Sequence, residues 1–154
     1  VLSFVSNNVW GYDVEDNAYA LMRTEDGIVA MLHSSASQWR HRFSLEISLT
    51  GGAITISGIL SSSKSYGAET LTITYRDQTD SGDPRETSTR YNHDPSWQAE
   101  TDEFANAILN DTKVVNGSAQ DAYLTMHLVY SIYCADEKWR KAWKLSNQPL
   151  LAET

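Results

Sequence analysis

Apolar and polar residues alternate with a period of two along the first half of the chain, which is the pattern of half-buried β-strands. We predict about six strands, joined mostly by hairpins and therefore mainly antiparallel. The turns support this prediction, because Asp26-Gly27 supplies the positive backbone angles that a tight hairpin needs and Thr50-Gly51-Gly52 turns the chain into the next strand. The strands are the opening segment and residues 18–24, 28–35, 43–49, 53–59 and 69–76.

The second face of these strands is more informative than the first, because its residues are small, hydroxylated and uncharged. They are Ser44, Ser48, Thr55, Ser57, Thr72 and Thr74. Fully solvated strands usually carry more Lys and Glu than this face does. We therefore expect another subunit or another sheet to cover part of it.

A polar stretch rich in turn-forming residues follows at 77–92, and it predicts a long surface loop with a short edge strand near 87–91. The period then changes to that of a helix. Asp94 is placed to cap this helix with Pro95 at its first position. Its apolar side chains recur at spacings of three and four residues.

A second helix begins at Ser118, where Asp121 completes a variant of the capping box. Its stretch "AYLTMHLVYSIYCA" is apolar on nearly all sides, so we expect it to lie buried across the strand faces. After Ala135 the pattern continues as an amphipathic helix, in which Trp139 and Trp143 are one turn apart and pack on a neighbouring element.

These elements predict an α+β fold: an open, mainly antiparallel sheet of about six strands with two main helices on one face. The length of 154 residues suits one domain. The net charge of −8 argues against partners such as nucleic acid or an anionic membrane. A single cysteine, Cys134, excludes an internal disulfide and indicates a reducing, cytoplasmic setting, with the thiol buried and inert.

The sequence lacks the motifs that are typical of phosphate-binding loops and of metal sites. There is no glycine-rich phosphate loop, and none of the four histidines has a second ligand at metal-binding spacing. We therefore expect no metal site. His127, on the apolar helix, is expected to be a hydrogen-bonded core residue, whereas His33 late in a strand is compatible with either face.

The stretch "SASQWRHRF" at 35–43 concentrates an indole, an imidazole and two guanidinium groups between two predicted strands. These groups suit an anionic or sugar-like ligand. They equally suit a solvated basic loop that covers the end of a sheet, and for Arg42 we favour that role.

Four stretches in order resemble the C-terminal domain of the Gfo/Idh/MocA family of NAD(P)-dependent oxidoreductases. The resemblance runs from about Val14 to Ala135. The stretches are "VEDNAYALMRTEDGIVAMLHSSA", "FSLEISLTGGAITI", "WQAETDEFANAILND" and "SAQDAYLTMHLVYSIYCA".

The resemblance implies a large open sheet whose free face commonly forms the subunit interface, so we expect a homo-oligomer through the sheet face. In the family this domain follows a Rossmann domain that holds NAD or NADP and a catalytic Lys. We expect this chain to be the substrate-binding and dimerisation domain of such a longer enzyme. Alone, it should bind no cofactor and show no activity.

Two regions correspond to pocket-lining parts of the family. One is the start of a helix, where Trp97 stands in place of the usual Tyr and favours stacking on the apolar face of a sugar- or polyol-like substrate. The other is the connection "SQWRHR" at 37–42, which follows the second strand of the hairpin. Our predicted substrate contacts are Trp39, Arg40, His41, Ser96 and Trp97, with Arg40 facing a carboxylate or phosphate. The alternative is a free-standing, non-catalytic α+β ligand-binding or oligomerisation module.

Overall fold

The computed structural model describes residues 1–60, 67–76 and 82–146. The predicted Ser-rich connection at 61–66 and the first part of the predicted polar loop, 77–81, lie outside these residues. The strands are β1 (Leu2–Ser6), β2 (Asn17–Arg23), β3 (Val29–Ser35), β4 (Ser44–Leu49), β5 (Gly52–Ser57), β6 (Glu69–Tyr75) and β7 (Glu86–Tyr91). The helices are α1 (Ser96–Leu109), α2 (Ala119–Ala135) and α3 (Glu137–Ala142).

The chain divides into two compact units, each described by itself below. The terminal unit comprises residues 1–38 and 113–154, and the central unit comprises residues 39–112. The terminal unit contains β1 to β3 with α2 and α3. The central unit contains β4 to β7 with α1.

The terminal unit is built on an antiparallel sheet of order β1-β2-β3. The predicted hairpin between β2 and β3 is confirmed. Gly27 has a φ of 93°, and the Thr24 amide donates to the Ile28 carbonyl at 2.9 Å. The Asp-Gly turn thereby fixes which residues of the two strands face each other.

Helix α2 lies over one face of this sheet, where the side chains are small. Ser3, Ala18 and Ala20 are buried on that face, so the helix approaches the strands closely. The Ser3 hydroxyl donates to the Ile132 carbonyl at 2.6 Å, and the Ile132 side chain is itself buried. This contact anchors the C-terminal half of the helix to β1.

The N-terminal half of α2 is more exposed than its apolar sequence predicts. Residues 119–128 are exposed, whereas residues 129–135 are half-buried or buried. The prediction of burial on nearly all sides is therefore wrong for the first half, because the contact with β1 is made by the second half. The predicted capping box is confirmed: Ser118 accepts from the Asp121 amide, and the Asp121 carboxylate accepts from the Ser118 amide.

The helical pattern after Ala135 does not continue α2. The chain breaks at Asp136, whose carboxylate accepts from the Lys138 and Trp139 amides and starts α3. The other carboxylate oxygen accepts from the Val5 amide of β1 at 2.8 Å. Asp136 thus turns the helix and holds it to the sheet at once, and the predicted packing of Trp139 is confirmed by its burial.

The central unit contains an antiparallel sheet of order β4-β5-β6-β7. Its register places aliphatic residues opposite one another, so Ile47, Ile54 and Ile73 form one row across three strands. The predicted hydroxylated set shares the opposite face, as the pairing of Thr55 with Thr72 shows. The edge strand expected near residues 87–91 is confirmed as β7.

Two details of the central unit depend on single residues. Gly52 has a φ of 149°, and a Cβ at this position would overlap the Thr74 carbonyl oxygen of the neighbouring strand. Helix α1 begins at Ser96, one residue later than predicted, with Pro95 in the position before the helix. Asp94 still accepts from the Ser96 amide at 2.9 Å.

The predicted α+β class is therefore confirmed, with antiparallel strands throughout the described residues. The strands form separate hydrogen-bonded sheets of three and four strands. A third, short helix joins the two that were expected. None of the helices among the described residues has the length and apolar character needed to cross a bilayer.

Candidate functional site

The five predicted substrate contacts lie at two places in the central unit. Trp39, Arg40 and His41 occupy the connection between β3 and β4, and all three are exposed, Trp39 at 99%. Ser96 and Trp97 are the first two residues of α1, and both are exposed. An exposed indole at each place presents a flat apolar surface to solvent, as stacking against a sugar ring requires.

The segment that leads from β3 to Trp39 is held in the terminal unit by hydrogen bonds at residues 36 and 37. The Asn17 side-chain amide donates to the Ser37 hydroxyl at 2.9 Å, and the Ala36 amide donates to the Asp16 carbonyl at 2.7 Å. The Trp10 indole N–H donates to the Ala36 carbonyl at 3.0 Å. These bonds fix residues 36–37 against the start of β2.

Asp16 is a buried charged residue of the terminal unit, with 4% of its surface exposed. Its carboxylate accepts from the amides of Val9 and Trp10, at 2.6 and 3.2 Å, and from the side chains of Ser6 and Asn17. Burial acts to raise the pKa of Asp16, but these hydrogen bonds together outweigh it and lower the pKa. The carboxylate holds the 7–15 turn onto the sheet.

Sequence reasoning used Asp16 only as part of a family resemblance and missed its burial. The available signal was a charged residue at the start of a strand, directly after a turn rich in amide donors. Because its hydrogen-bonding capacity is used within the turn, Asp16 is a structural anchor.

The other face of the terminal sheet, away from α2, forms a surface that we call the open face. It includes seven apolar or aromatic side chains, Leu2, Phe4, Tyr19, Leu21, Val29, Met31 and His33, and Arg23 lies at its edge opposite Val29. All of them are exposed, Met31 at 80%. Tyr19 and His33 stack with their ring centroids 4.1 Å apart and their planes 11° apart. His33, which the sequence left compatible with either face, therefore lies on the open one.

A cavity of about 360 Å³ lies along α2 in the terminal unit. We call it the tyrosine pocket, and its lining residues are Tyr123, Met126, His127, Val129, Tyr130, Tyr133 and Ser146. The prediction that His127 is a core residue is wrong: His127 is exposed and lines this cavity, since α2 contacts β1 only through its later turns. None of the five predicted substrate contacts lines it.

Two hydrogen bonds hold Ser146 beside α2 at the tyrosine pocket. The Tyr130 hydroxyl donates to the Ser146 carbonyl at 3.1 Å, and the Cys134 thiol donates to the same oxygen at 3.1 Å. The Cys134 thiol was predicted to be buried and is half-buried, and its hydrogen bond to Ser146 gives it a structural contact beside the pocket.

Tyr133, which also lines the pocket, has a raised pKa. Burial, together with a hydrogen bond to the Glu15 carboxylate and its negative charge, raises the pKa of Tyr133 to about 12. Tyr133 therefore stays neutral over the physiological range. Its hydroxyl is committed to Glu15.

Within residues 1–60, 67–76 and 82–146, no three His, Cys, Asp or Glu side chains are grouped so that they could hold a metal ion. No family model, no curated protein and no solved structure matches the chain. The family resemblance therefore stays a prediction. The described residues include exposed indoles, an exposed apolar sheet face and a cavity lined by aromatic residues. Features of these kinds are typical of surfaces that bind ligands or other proteins.

Proposed function

We propose that this chain is the substrate-binding and oligomerisation domain of an NAD(P)-dependent dehydrogenase that acts on a sugar- or polyol-like substrate. The observation that carries the proposal is the open face, an apolar surface on a sheet whose other face is covered by α2 over β1 and β2. An aromatic and aliphatic face of this kind marks an interaction surface.

The area of the open face matches that of a subunit interface. Its seven side chains expose roughly 800 Å² together, taking 150–250 Å² for a fully exposed aromatic residue and somewhat less for an aliphatic one. A standard interface buries about 800 Å² on each partner. A second copy of the chain, presenting the same face, would cover it in an isologous dimer.

The hydroxylated face of the central sheet is less suited to this role than its sequence suggests. Thr72 and Ser88 are hydrogen-bonded across two strands at 3.2 Å, and the Thr74 hydroxyl donates to the Glu86 carboxylate at 3.0 Å. Such cross-strand pairs stabilise a sheet without any partner. We therefore assign oligomerisation to the open face of the terminal sheet.

The cofactor belongs, in this proposal, to a separate domain. A dinucleotide pyrophosphate binds free amides at a helix N-terminus after a glycine-rich turn. Here the Asp121 carboxylate accepts from the Ser118 amide at the start of α2, and Asp94 accepts from the Ser96 amide at the start of α1. Each carboxylate occupies one amide, and its negative charge disfavours a phosphate at that helix start. We therefore derive no hydride step from these residues.

The contribution of this chain would be to bind and orient the substrate. The exposed indoles of Trp39 and Trp97 would stack on apolar sugar faces, while Arg40 would pair with a carboxylate or phosphate on the substrate. His41 and Ser96 would add hydrogen bonds from the same two places. This part of the proposal is supported by exposure and residue chemistry.

Sedimentation velocity tests the proposal over a range of protein concentrations. We expect the wild-type chain to self-associate, and Met31→Lys to weaken the association at least tenfold by placing a charge in an apolar interface. The matched control is Leu109→Lys, an equally exposed position on α1 in the central unit. Unchanged association of Met31→Lys, or an equal loss in Leu109→Lys, would overturn the assignment of the open face.

The second function is a free-standing, non-catalytic binding module, for which the exposed apolar open face is an equally suitable interaction surface. The coding sequence upstream of Val1 separates the two. An in-frame region with a glycine-rich βαβ pattern supports the dehydrogenase, whereas a stop codon immediately before Val1 supports the module.

A further inference from the structure

We infer that the tyrosine pocket binds a small, neutral, two-ring heteroaromatic molecule that carries a ring N–H group. This inference concerns the α2 helix of the terminal unit and is independent of the proposed dehydrogenase function. No residue of the predicted substrate site takes part in it.

The volume sets the size of the ligand. The cavity measures about 360 Å³. An apolar protein cavity of about 150 Å³ accommodates a single benzene ring. A cavity somewhat more than twice as large therefore suits two fused rings with a short substituent, and it falls within the range of small-molecule pockets.

The lining sets the shape of the ligand. Tyr123, Tyr130 and Tyr133 project from α2 at spacings of seven and three residues, and Met126 lies among them. Aromatic faces and a thioether make favourable contacts with a flat ring, both by stacking and by sulfur–aromatic contact. A planar ligand uses these surfaces better than a branched aliphatic one.

The electrostatics set the charge of the ligand. The lining residues include no Lys or Arg among the part of the chain described, and the Glu15 carboxylate is hydrogen-bonded to the hydroxyl of Tyr133. The chain as a whole carries a net charge of −8. An anionic ligand would find no counter-charge here, whereas a positively polarised N–H would be favoured.

The acceptor of the lining that we assign to orientation of the ligand is the imidazole of His127. The Tyr130 hydroxyl is bonded to Ser146 and the Tyr133 hydroxyl to Glu15. His127 presents its ring beside Tyr123, with the centroids 6.2 Å apart. A neutral imidazole has one acceptor nitrogen, which suits an N–H in the plane of a bound ring.

Side-chain and backbone NMR of the whole chain, titrated with indole, tests the inference. We expect a dissociation constant on the order of 1 mM, as suits a fragment of this size, with shifts concentrated on the lining residues of α2. Tyr123→Ala should weaken binding about threefold or more through the lost stacking. Tyr12→Ala removes an exposed tyrosine of the 7–15 turn and should bind as the wild type does.

Two further probes test orientation and charge. 1-Methylindole, which lacks the N–H, should bind several-fold more weakly to the wild type. The His127→Phe variant keeps a ring at this position but has no acceptor nitrogen, so it should bind 1-methylindole and indole with equal affinity. Indole-3-carboxylate should bind more weakly than indole. Circular dichroism confirms that each variant folds.

The inference is overturned if Tyr123→Ala binds indole as tightly as the wild type, or if the shifts fall on the open face instead. It is also overturned if indole and 1-methylindole bind the wild type equally. Titrating the Met31→Lys variant separates the two proposals, because indole binding should persist there whether or not the chain self-associates.

Discussion

Replacing Ile132 by Ala removes the best-buried aliphatic side chain of α2 at the point where the helix meets β1. Ile132 exposes 5% of its surface, and its carbonyl accepts the Ser3 hydroxyl at 2.6 Å. Because the hydrogen bond uses the backbone oxygen, the substitution leaves that bond in place. The perturbation is therefore confined to packing.

The expected loss follows from the removed carbons and the space they leave. Three methyl or methylene groups at about 0.8 kcal/mol each give roughly 2.4 kcal/mol. A residual cavity adds to this, so we expect about 3 kcal/mol in total. In a unit of this size, each kcal/mol corresponds to roughly 4–8 °C in Tm.

Urea denaturation followed by far-ultraviolet circular dichroism measures the loss at a fixed protein concentration. The matched control is Leu124→Ala in the exposed half of the same helix, where the side chain is 54% exposed. We expect it to cost about 0.5 kcal/mol or less.

The reasoning is refuted if the two variants lose equal stability, or if Ile132→Ala loses less than about 1 kcal/mol. Either result would mean that the C-terminal half of α2 is not held to β1 by packing. The small residues beneath the helix would then need another explanation.

Three further predictions concern a cap, a tyrosine and a turn. Asp121→Asn should reduce helicity at neutral pH. Its difference from the wild type should begin to shrink as the pH falls below about 4 and should vanish at still lower pH, because hydrogen bonds with Ser118 lower the pKa of Asp121 and its stabilisation requires the ionised form. In a near-ultraviolet absorbance titration, Tyr133 should ionise at about 12, and Glu15→Gln should bring that step to lower pH. Gly52→Ala should cost on the order of 2 kcal/mol or more in urea denaturation. Gly51→Ala, where a Cβ meets open space, should cost much less.

The strands and helix starts could be predicted because their signals are local. The Asp26-Gly27 turn fixes the register between β2 and β3, and the alternation in β4 fixes which residues share a face. The capping box at Ser118 likewise depends on residues three apart. These features could be predicted because each depends on residues that are close together in the sequence.

The break between α2 and α3 could not be predicted in this way. Asp136 ends one helix and begins the next while also accepting from Val5, a residue 131 positions away in sequence. A helical pattern shows no interruption there, because the competing interaction comes from the first strand. Long-range contacts of this kind override a local period.

For the candidate site, the sequence predicted which types of residue belong to it, but it did not predict the pocket along α2. Sequence placed Trp39 in a connection between two strands and Trp97 at the start of a helix, and the structure places both there. It placed His127 in the core, because an apolar helix gives no sign of which half lacks a covering layer. Ser146 lines the tyrosine pocket through its contact with Tyr130, and no motif encodes that contact.

The central claim is that this chain binds the substrate of a sugar- or polyol-type dehydrogenase, and indole N–H resonances test it most directly. The chain has five tryptophans, which give distinguishable side-chain signals once assigned by substitution. Titration with glucose and myo-inositol should shift the signals of Trp39 and Trp97 together, while the buried Trp139 stays unchanged. Unchanged signals from Trp39 and Trp97 up to high sugar concentration, or shifts confined to Trp139, would contradict the account.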